Sequence, residues 1–182
     1  MIPQDLVDLL RRTQEFLRSR QSPCYLVGGL LRDQVLPCRS VVVPTTHRHR
    51  WNVDLAVPRQ AIPLAQALAQ RLAGTFVLLD ETNGCARIVV GTAAGRVELD
   101  LSEFRGATLD EDLRRRDFTM NAMAVELAAW LRNPQNPQPL IDPLHGREAL
   151  ASHTLLACFP GTFEEDPLRI LRAFRFVAEL SC

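Results

Sequence analysis

The first part of the chain alternates between helical and strand-like hydrophobic patterns. Leucines recur at helical spacing through PQDLVDLLRRTQEFLRSR, residues 3–20, which predicts an amphipathic helix. The apolar run CYLVGG, residues 24–29, predicts a short buried strand that ends in two glycines. A further helix is expected directly after it, over LLRDQVL, residues 30–36.

A loop, a strand and a helix follow. Two prolines, several hydroxyl side chains and a basic end give PCRSVVVPTTHRHR, residues 37–50, the character of a long loop. Apolar and polar positions then alternate through WNVDLAVP, residues 51–58, as in a half-buried strand. The stretch AIPLAQALAQRLAG, residues 61–74, predicts a helix that Gly74 closes.

Three more strands complete the first half. They are predicted over TFVLLD, CARIVVG and RVELDLSEF, residues 75–80, 85–91 and 96–104, with ETNG as the turn between the first two. Residues 1–105 therefore predict helices packed on one side of a mixed sheet. An acidic helix start and an arginine run follow in LDEDLRRRDFTMNAMAVEL, and a final helix is predicted in FEEDPLRILRAFRFVAEL.

Composition limits the class of protein. A chain of 182 residues with 47% hydrophobic content can build one sizeable core and the beginning of a second domain. No apolar run approaches the length needed to cross a bilayer, and the amino terminus is amphipathic, so we expect no membrane association and a cytoplasmic setting. The five cysteines are scattered and show no zinc-type spacing, which favours free thiols.

Charge gives no simple indication of a partner. Acidic and basic side chains balance at 21 each, so the chain lacks the overall basicity of many nucleic-acid-binding proteins. Every cationic side chain is Arg and none is Lys. Coding bias is the simpler explanation, although Arg also suits bidentate contacts with phosphate.

The glycine pair is a candidate anion site. Gly28 and Gly29 lie between a predicted strand and a predicted helix, where backbone amides favour an anion such as a triphosphate, and Arg32 can add a charged contact. A plain tight turn explains the same pair without any ligand.

Four polar strand positions are candidates for catalysis. Asn52 and Asp54 share one face of their strand, and Glu98 and Asp100 share one face of theirs. If the two strands are neighbours, these side chains converge on hard divalent cations, which prefer oxygen ligands. A polar strand end with solvated charges is the alternative.

The ordered motifs are far more specific than any one of them. The series GGLLRD, NVDLAV, VELDLSEFR, RRRDFTMNAMAV, IDPLHGREAL and EEDPLRILRAFRF resembles the bacterial-type (class II) tRNA nucleotidyltransferase and poly(A) polymerase family, which includes the CCA-adding enzymes. The resemblance implies an α+β fold, with a DNA polymerase β-like nucleotidyltransferase head and the start of an all-α neck. On this basis we expect the head at residues 1–140 and the start of the neck, apparently truncated, at 141–182.

The resemblance also implies roles for individual residues. The metal-binding positions of the family fall on Asn52 and Asp54, with Mg²⁺ as the cofactor, and Glu98 and Asp100 are added as catalytic candidates. The implied nucleotide-binding residues are Gly28, Gly29, Arg32, Asp33, Arg116, Asp117, Asn121, Glu165, Asp166, Arg169 and Arg172. Of these, Glu165, Asp166 and Arg169 would select the base, although the two acids also suit helix capping.

The implied reaction is addition of C, A or both from CTP and ATP to the 3′ end of tRNA. Asn52 departs from the family pattern, because an amide brings no negative charge and cannot bridge two cations. Either the replacement impairs catalysis and leaves a nucleotide- or RNA-binding module, or Glu98 or Asp100 supplies the missing negative charge. Synthesis of a poly(A) tail is a further alternative for the function. Leu171, Phe174 and Phe176 are expected to lack packing partners, which suggests a fragment of a longer protein, with a self-contained short form as the alternative.

Overall fold

The computed structural model describes residues 2–35, 50–93 and 95–180. Most of the loop predicted over 37–50 lies outside the described residues, as do Cys38 and Cys182. The described helices and strands follow in the order α1 (Gln4–Ser19), β1 (Tyr25–Val27), α2 (Gly28–Val35), β2 (Arg50–Val57), α3 (Ala61–Leu72), β3 (Thr75–Asp80), β4 (Cys85–Thr92), β5 (Gly95–Glu103), α4 (Leu109–Arg114), β6 (Ala124–Glu126), α5 (Leu127–Arg132), α6 (Gly146–Ala151), α7 (Thr162–Glu165) and α8 (Leu168–Leu180).

The described strands form one mixed sheet in the order β3-β4-β5-β2-β1-β6. β2 and β5 pair in parallel, while the other neighbouring pairs are antiparallel. The predicted α+β class and mixed sheet are confirmed. The parallel pair places the two strands that carry the polar candidates side by side, at the centre of the sheet.

The two faces of the sheet differ in polarity. Alternate residues of β2, β4 and β5 point to one face, where α1 and α3 bury them in the main core; they are Val53, Leu55, Val57, Ala86, Ile88, Val90, Val97, Leu99 and Leu101. Each Å² of apolar surface that this layer removes from water stabilises the fold by about 25 cal/mol. The opposite face, here called the second face, carries the polar positions of β2 and β5.

The end of α3 differs in detail from the prediction that Gly74 closes it. Ala73 adopts the left-handed conformation with φ 54°, and the Gly74 amide donates to the carbonyl of Ala69 at 2.8 Å. A Cβ on Gly74 would lie 2.9 Å from the Val89 carbonyl oxygen, so the residue lets the chain turn closely into β3. Closure is therefore shared between Ala73 and Gly74.

The segment after α4 adds an edge to the sheet that the sequence pattern did not predict. β6 is three residues long and pairs with β1, and Ile141 forms an isolated bridge with Ala124. Leu150 of α6 is also buried in the main core. Residues beyond 140 thus pack on the sheet domain, and the division at 140/141 stays a prediction.

The last helix is partly packed. Leu171 and Phe174 are 67% and 71% exposed, as expected for apolar side chains without partners among the described residues. The expectation is wrong for Phe176, which is 3% exposed and meets Phe118 edge-on at a centroid distance of 5.7 Å. α8 therefore uses one face against the sheet domain and presents another to solvent. Within the described part of the chain, no helix has the length and apolarity that a membrane span requires.

Candidate active site

The four polar candidates of β2 and β5 lie together on the second face. The parallel register pairs Asn52 with Glu98 and Asp54 with Asp100. Neighbouring strands lie about 4.8 Å apart, so the side chains of each pair emerge next to one another. The convergence that the alternation predicted depends on these strands being neighbours, and they are.

The glycine pair approaches Asp54 from the β1 side. Val27, the last residue of β1, is the register partner of Asp54, and α2 begins directly after it. The Gly29 amide lies close enough to the Asp54 carboxylate to lower its pKa. Gly28 has φ 71°, in the left-handed region, and a Cβ at this position would overlap Oδ2 of Asp54. Only glycine lets the start of α2 come this close.

Asp54 is an ionisable group in an unfavourable place. Burial raises its pKa above the ordinary value, and the neighbouring Asp100 raises it further. Arg116, the Gly29 amide and Arg172 act in the opposite direction without cancelling the rise. The negative charge on Asp54 is therefore under-compensated by protein groups alone, which is the condition that a bound cation would relieve.

Asp100 is already engaged by an arginine. Arg87 of β4 donates to its two oxygens from Nε at 2.7 Å and from Nη2 at 2.8 Å. This bidentate pair raises the pKa of Arg87, with the hydrogen bond to Asp100 as the largest cause. Arg87 thus fixes Asp100 in one orientation beside Asp54.

Glu98 has a different environment from the one expected of a metal ligand. Its side chain is fully buried and lies within ion-pair distance of Arg50 at 2.6 Å, Arg87 at 2.8 Å and Arg96 at 2.9 Å. Its Oε1 atom makes no hydrogen bond of good geometry, although the Arg96 Nε is near it. A buried carboxylate surrounded by three guanidiniums serves best as their anchor.

The donor set fits one divalent cation. Mg²⁺ is commonly held by one or two carboxylates together with water and substrate phosphates. Asp54 supplies a carboxylate in need of positive charge, Asn52 supplies an exposed neutral amide, and Asp100 lies beside them. Within the ranges that the structure describes, no three His, Cys, Asp or Glu side chains gather to hold a metal by themselves. A carboxylate that could bridge to a second cation is missing at position 52.

A continuous polar chain joins α2 to α8. Arg32 donates to Asp33 at 2.7 Å and to Asn121 Oδ1 at 3.1 Å, and Asn121 donates to Asp117 at 3.3 Å. Asp117 then accepts from Arg172 Nε at 2.9 Å. All five belong to the predicted nucleotide-binding set, and the structure connects them although they come from three separate segments.

Arg116 is held from the other side of the site. Its Nε and Nη2 donate to Oδ2 of Asp112 at 3.1 and 2.8 Å, and Asp112 is almost fully buried. The guanidinium lies close enough to Asp54 to act on its pKa. The three positions Arg116, Asp117 and Asn121 thus surround the same region, with Asp117 and Asn121 forming its buried floor.

The predicted base-selecting residues line a separate part of the cleft. Arg169 is 4% exposed and its Nη1 donates to Glu165 at 3.1 Å and to the Thr162 carbonyl at 3.3 Å. Its Nε lies 3.7 Å from Asp166, and its guanidinium lies over the Phe159 ring at 5.7 Å. Arg169 therefore orients two carboxylates that remain about half exposed.

A cavity of about 470 Å³ lies in front of these carboxylates. It reaches from α7 and α8 to the end of β5 and to the turn between β3 and β4, and its lining residues are Thr82, Asn83, Glu103, Phe104, Arg105, Arg115, Glu165, Asp166 and Arg169. Arg105 and Arg115 were not predicted from the sequence as site residues. Neither was Arg87, and only the strand register shows that it faces Asp100.

Comparison with known proteins adds a family and relatives. The family model described as the poly(A) polymerase head domain matches residues 24–156. A CC-adding tRNA nucleotidyltransferase of Geobacter sulfurreducens is 38% identical over 157 residues, which cover 86% of this chain and 32% of that protein. An A-adding tRNA nucleotidyltransferase of Aquifex aeolicus is 34% identical over 171 residues, covering 86% of this chain and 18% of that protein.

A solved structure agrees with the fold. The CCA-adding enzyme of Thermotoga maritima complexed with tRNA superposes with a TM-score of 0.72 and 30% identity, covering 97% of this chain and 38% of that one. The chain thus spans between 18% and 38% of the length of these proteins. The family match over residues 24–156 includes the polar strands and the glycine turn.

Proposed function

The chain belongs to the poly(A) polymerase head-domain family, and from this premise we propose that it acts as the nucleotidyltransferase head of an enzyme that adds C, A or both to the 3′ end of tRNA. The names of the CC-adding and A-adding relatives support this choice of substrates. The observation that carries the proposal is Asp54, which the glycine turn at the start of α2 approaches closely and which lies beside Asp100.

In the proposed reaction, the 3′-hydroxyl of the RNA attacks the α-phosphate of CTP or ATP. A bond forms between the 3′-oxygen and the α-phosphorus, the bond to the bridging oxygen of the β-phosphate breaks, pyrophosphate leaves, and the hydroxyl proton passes to solvent or a nearby base. Phosphoryl transfer of this kind depends mainly on positioning and charge stabilisation.

The chain's own residues divide this work. The amides at Gly28 and Gly29, with Arg32, bind the triphosphate, while Arg116, Asp117, Asn121 and Arg172 position the nucleotide. Glu165 and Asp166, oriented by Arg169, offer acceptors to the base edge. Asp54, and more weakly Asn52, would hold Mg²⁺, which when bound lowers the charge barrier at the α-phosphate.

The segments take domain names under this proposal. Residues 1–140 correspond to the head and residues 141–182 to the start of the neck. We also propose a cytoplasmic location, which the names of the tRNA-processing relatives support.

Asn52 favours a second candidate function. If the amide removes about 4 kcal/mol of transition-state stabilisation, the rate falls roughly a thousandfold. A chain so impaired would act as a nucleotide- and RNA-binding module, with Asp54, Glu165, Asp166 and Arg169 retained.

The test is incorporation of radiolabelled CMP and AMP into tRNAs that end in the discriminator base, in C and in CC. We expect Asn52→Asp to stimulate incorporation by up to about a thousandfold. Asn136→Asp, in the exposed loop after α5, makes the same chemical change away from the site and is expected to change nothing.

The pattern of acceptance separates the candidates. Extension that stops after two C residues, after one A or after CCA identifies the activity, and a long A tail identifies poly(A) synthesis. Saturable CTP or ATP binding that requires Arg169 but gives no product in either form identifies the binding module. Absence of both binding and product rejects the proposed function.

A further inference from the structure

The three arginines around Glu98 form a cluster beside the candidate active site. We call Arg50, Arg87, Arg96 and their shared carboxylate Glu98 the Glu98 cluster. Arg50 and Arg96 are register partners at the starts of β2 and β5, and Arg87 reaches the same carboxylate from β4. Asn52 is the register partner of Glu98, so the cluster borders the position that lacks a carboxylate.

The members of the cluster are not equally engaged. Arg87 is also paired with Asp100 through two hydrogen bonds and is mostly buried. Arg50 and Arg96 have Glu98 as their recorded carboxylate partner, and their side chains are 43% and 59% exposed. Three guanidiniums facing Glu98 and Asp100 leave one positive charge, and it lies on the exposed pair.

The buried anchor gives this pair a defined orientation. An isolated surface ion pair has little energetic weight, because two long side chains must be ordered in water. Here the carboxylate is fully buried, so it stays in place and holds both guanidiniums by part of their donor set. Arg50 uses an Nη atom and Arg96 uses Nε towards Glu98, so this carboxylate engages only part of each guanidinium fork.

The pair lies at a useful distance from the reacting centre. Arg50 is four residues before Asp54 on β2, and Arg96 is four residues before Asp100 on β5. At about 3.3 Å per residue, the Cα atoms of each pair are roughly 13 Å apart. The guanidiniums themselves are held at Glu98 and so lie closer to the reacting centre than their Cα atoms do. A nucleic-acid strand a few nucleotides long spans that distance.

The rest of the site defines which substrate would lie there. The cavity in front of Glu165 and Asp166 is at the opposite end of β5, where Glu103, Phe104 and Arg105 line it. The Gly28–Gly29 turn meets Asp54 from the β1 side, whereas Arg96 and Arg87 belong to the strands on the other side of β2. The proposed binding sites for the phosphates and the base of the incoming nucleotide therefore both lie away from the Glu98 cluster.

The geometry of phosphoryl transfer places the second substrate. Attacking and leaving oxygens lie roughly in line across the phosphorus. If pyrophosphate leaves towards the glycine turn, the attacking hydroxyl approaches from the β5 side, which is the side on which the Glu98 cluster lies.

We propose that Arg50 and Arg96 bind phosphodiester groups of the RNA strand whose 3′ end receives the nucleotide. The inference rests on the proposed function, since it assumes which substrate occupies the glycine turn. The contacts position the strand and carry no base preference, as is usual for phosphate contacts. The planar guanidinium fork matches phosphate oxygens, so Arg is better suited to this task than a point charge.

The test measures RNA binding without turnover. A fluorescein-labelled tRNA acceptor minihelix ending in C is titrated with the 182-residue chain at a series of KCl concentrations, with fluorescence anisotropy as the readout. The Arg50→Gln/Arg96→Gln double variant is compared with Arg11→Gln/Arg71→Gln. Arg11 and Arg71 lie on α1 and α3, which cover the opposite face of the sheet, so this pair controls for the loss of two positive charges.

Two lost phosphate contacts should lower the slope of log K against log salt by about 1.4, and the affinity at 0.1 M salt by about tenfold or more. The control pair should keep the slope and affinity of the parent chain. The Arg50→Lys/Arg96→Lys variant should keep the slope, because charge is retained. CTP affinity, measured by equilibrium dialysis, should be the same in the parent and the Gln double variant.

An unchanged slope in the Gln double variant overturns the inference. An equal loss of CTP and RNA affinity also overturns it, because the pair would then serve the triphosphate. Equal losses of RNA affinity in the Gln double variant and in the control pair would show that only overall charge matters. That result also overturns the inference. Since no step of the titration requires turnover, a chain that incorporates nothing but shows the expected slope change counts against the proposed function alone.

Discussion

Arg172 of α8 contacts Oδ2 of Asp117 with two nitrogen atoms, Nε at 2.9 Å and Nη2 at 2.7 Å. Asp117 is buried, and its other oxygen accepts from the Phe118 amide and from Asn121. One carboxylate therefore holds together the polar turn after α4 and the last helix. Arg172 and Arg32 also flank the Phe176 ring, at 5.7 and 5.4 Å from its centroid, so the joint is both ionic and apolar.

Arg172→Gln should destabilise the chain by about 1–2 kcal/mol, because a charge-assisted bond to a buried acceptor is lost while Asp117 stays in place. Urea unfolding gives the free energy. Arg114→Gln is the matched control, since Arg114 is similarly exposed and pairs with the exposed Asp110. Its effect should be clearly smaller, because an ion pair between two exposed side chains contributes little. Equal losses of unfolding free energy in the two variants would show that the contact between Arg172 and Asp117 contributes no more than an exposed ion pair.

Gly28→Ala should weaken both the fold and nucleotide binding. The φ of 71° disfavours any side chain by about 1–2 kcal/mol, and the new methyl group would overlap the Asp54 carboxylate. Gly91→Ala is the control, because a Cβ there meets nothing within 4 Å. Thermal melting and CTP titration should both separate the two variants, and indistinguishable behaviour would contradict the close approach described for α2.

Strand alternation was enough to predict which polar residues share a face. Asn52 with Asp54, and Glu98 with Asp100, follow from the period of two and need no tertiary information. Which strands are neighbours does not follow from that period, and neither does the contact between Arg87 and Asp100. Glu98 shows the same limit, because its burial depends on Arg50, Arg87 and Arg96 from three strands.

Short strands and contacts between distant segments were the hardest features to predict. β6 is too short for alternation to be visible, and it is stabilised only by pairing with β1. Phe176 was expected to lack partners because the further neck helices of the family are missing from this chain. Its side chain is instead covered by Phe118 and by arginines from two helices. Packing between distant segments decides both cases, and local sequence does not encode it.

Glu98→Gln should destabilise the chain by about 3–5 kcal/mol, because three guanidiniums would lose their shared buried charge. Asp110→Asn removes a carboxylate from an exposed pair and should have a much smaller effect, because such pairs contribute little in water. Urea unfolding of both variants at neutral pH checks the difference. A small loss for Glu98→Gln would mean that the arginines are held by something other than this carboxylate.

Asp54→Asn should stabilise the chain at pH 7 when EDTA removes divalent cations. Burial, followed by Asp100, raises the pKa of Asp54 above 3.8, so between 3.8 and the folded value the native state binds the proton more tightly than the unfolded state does. Stability therefore falls as pH rises through this window, and at pH 7 the parent carries the cost of an ionised carboxylate that is partly buried beside Asp100. The variant should melt at a higher temperature than the parent at pH 7, and the difference should shrink as the pH is lowered towards 3.8. Excess Mg²⁺ should raise the melting temperature of the parent and not that of the variant, because ligand binding to the native state adds stability.

Asp80→Asn supplies a control of opposite sign. Hydrogen bonds from Asn83 lower the pKa of Asp80, so its ionised form contributes stability that is present above 3.8 and is lost as the pH falls through the lowered value. This variant should melt slightly below the parent at pH 7, and Mg²⁺ should stabilise both to the same extent. If Mg²⁺ stabilises Asp54→Asn as strongly as the parent, Asp54 is not the ligand that holds the cation, and its raised pKa reflects burial alone.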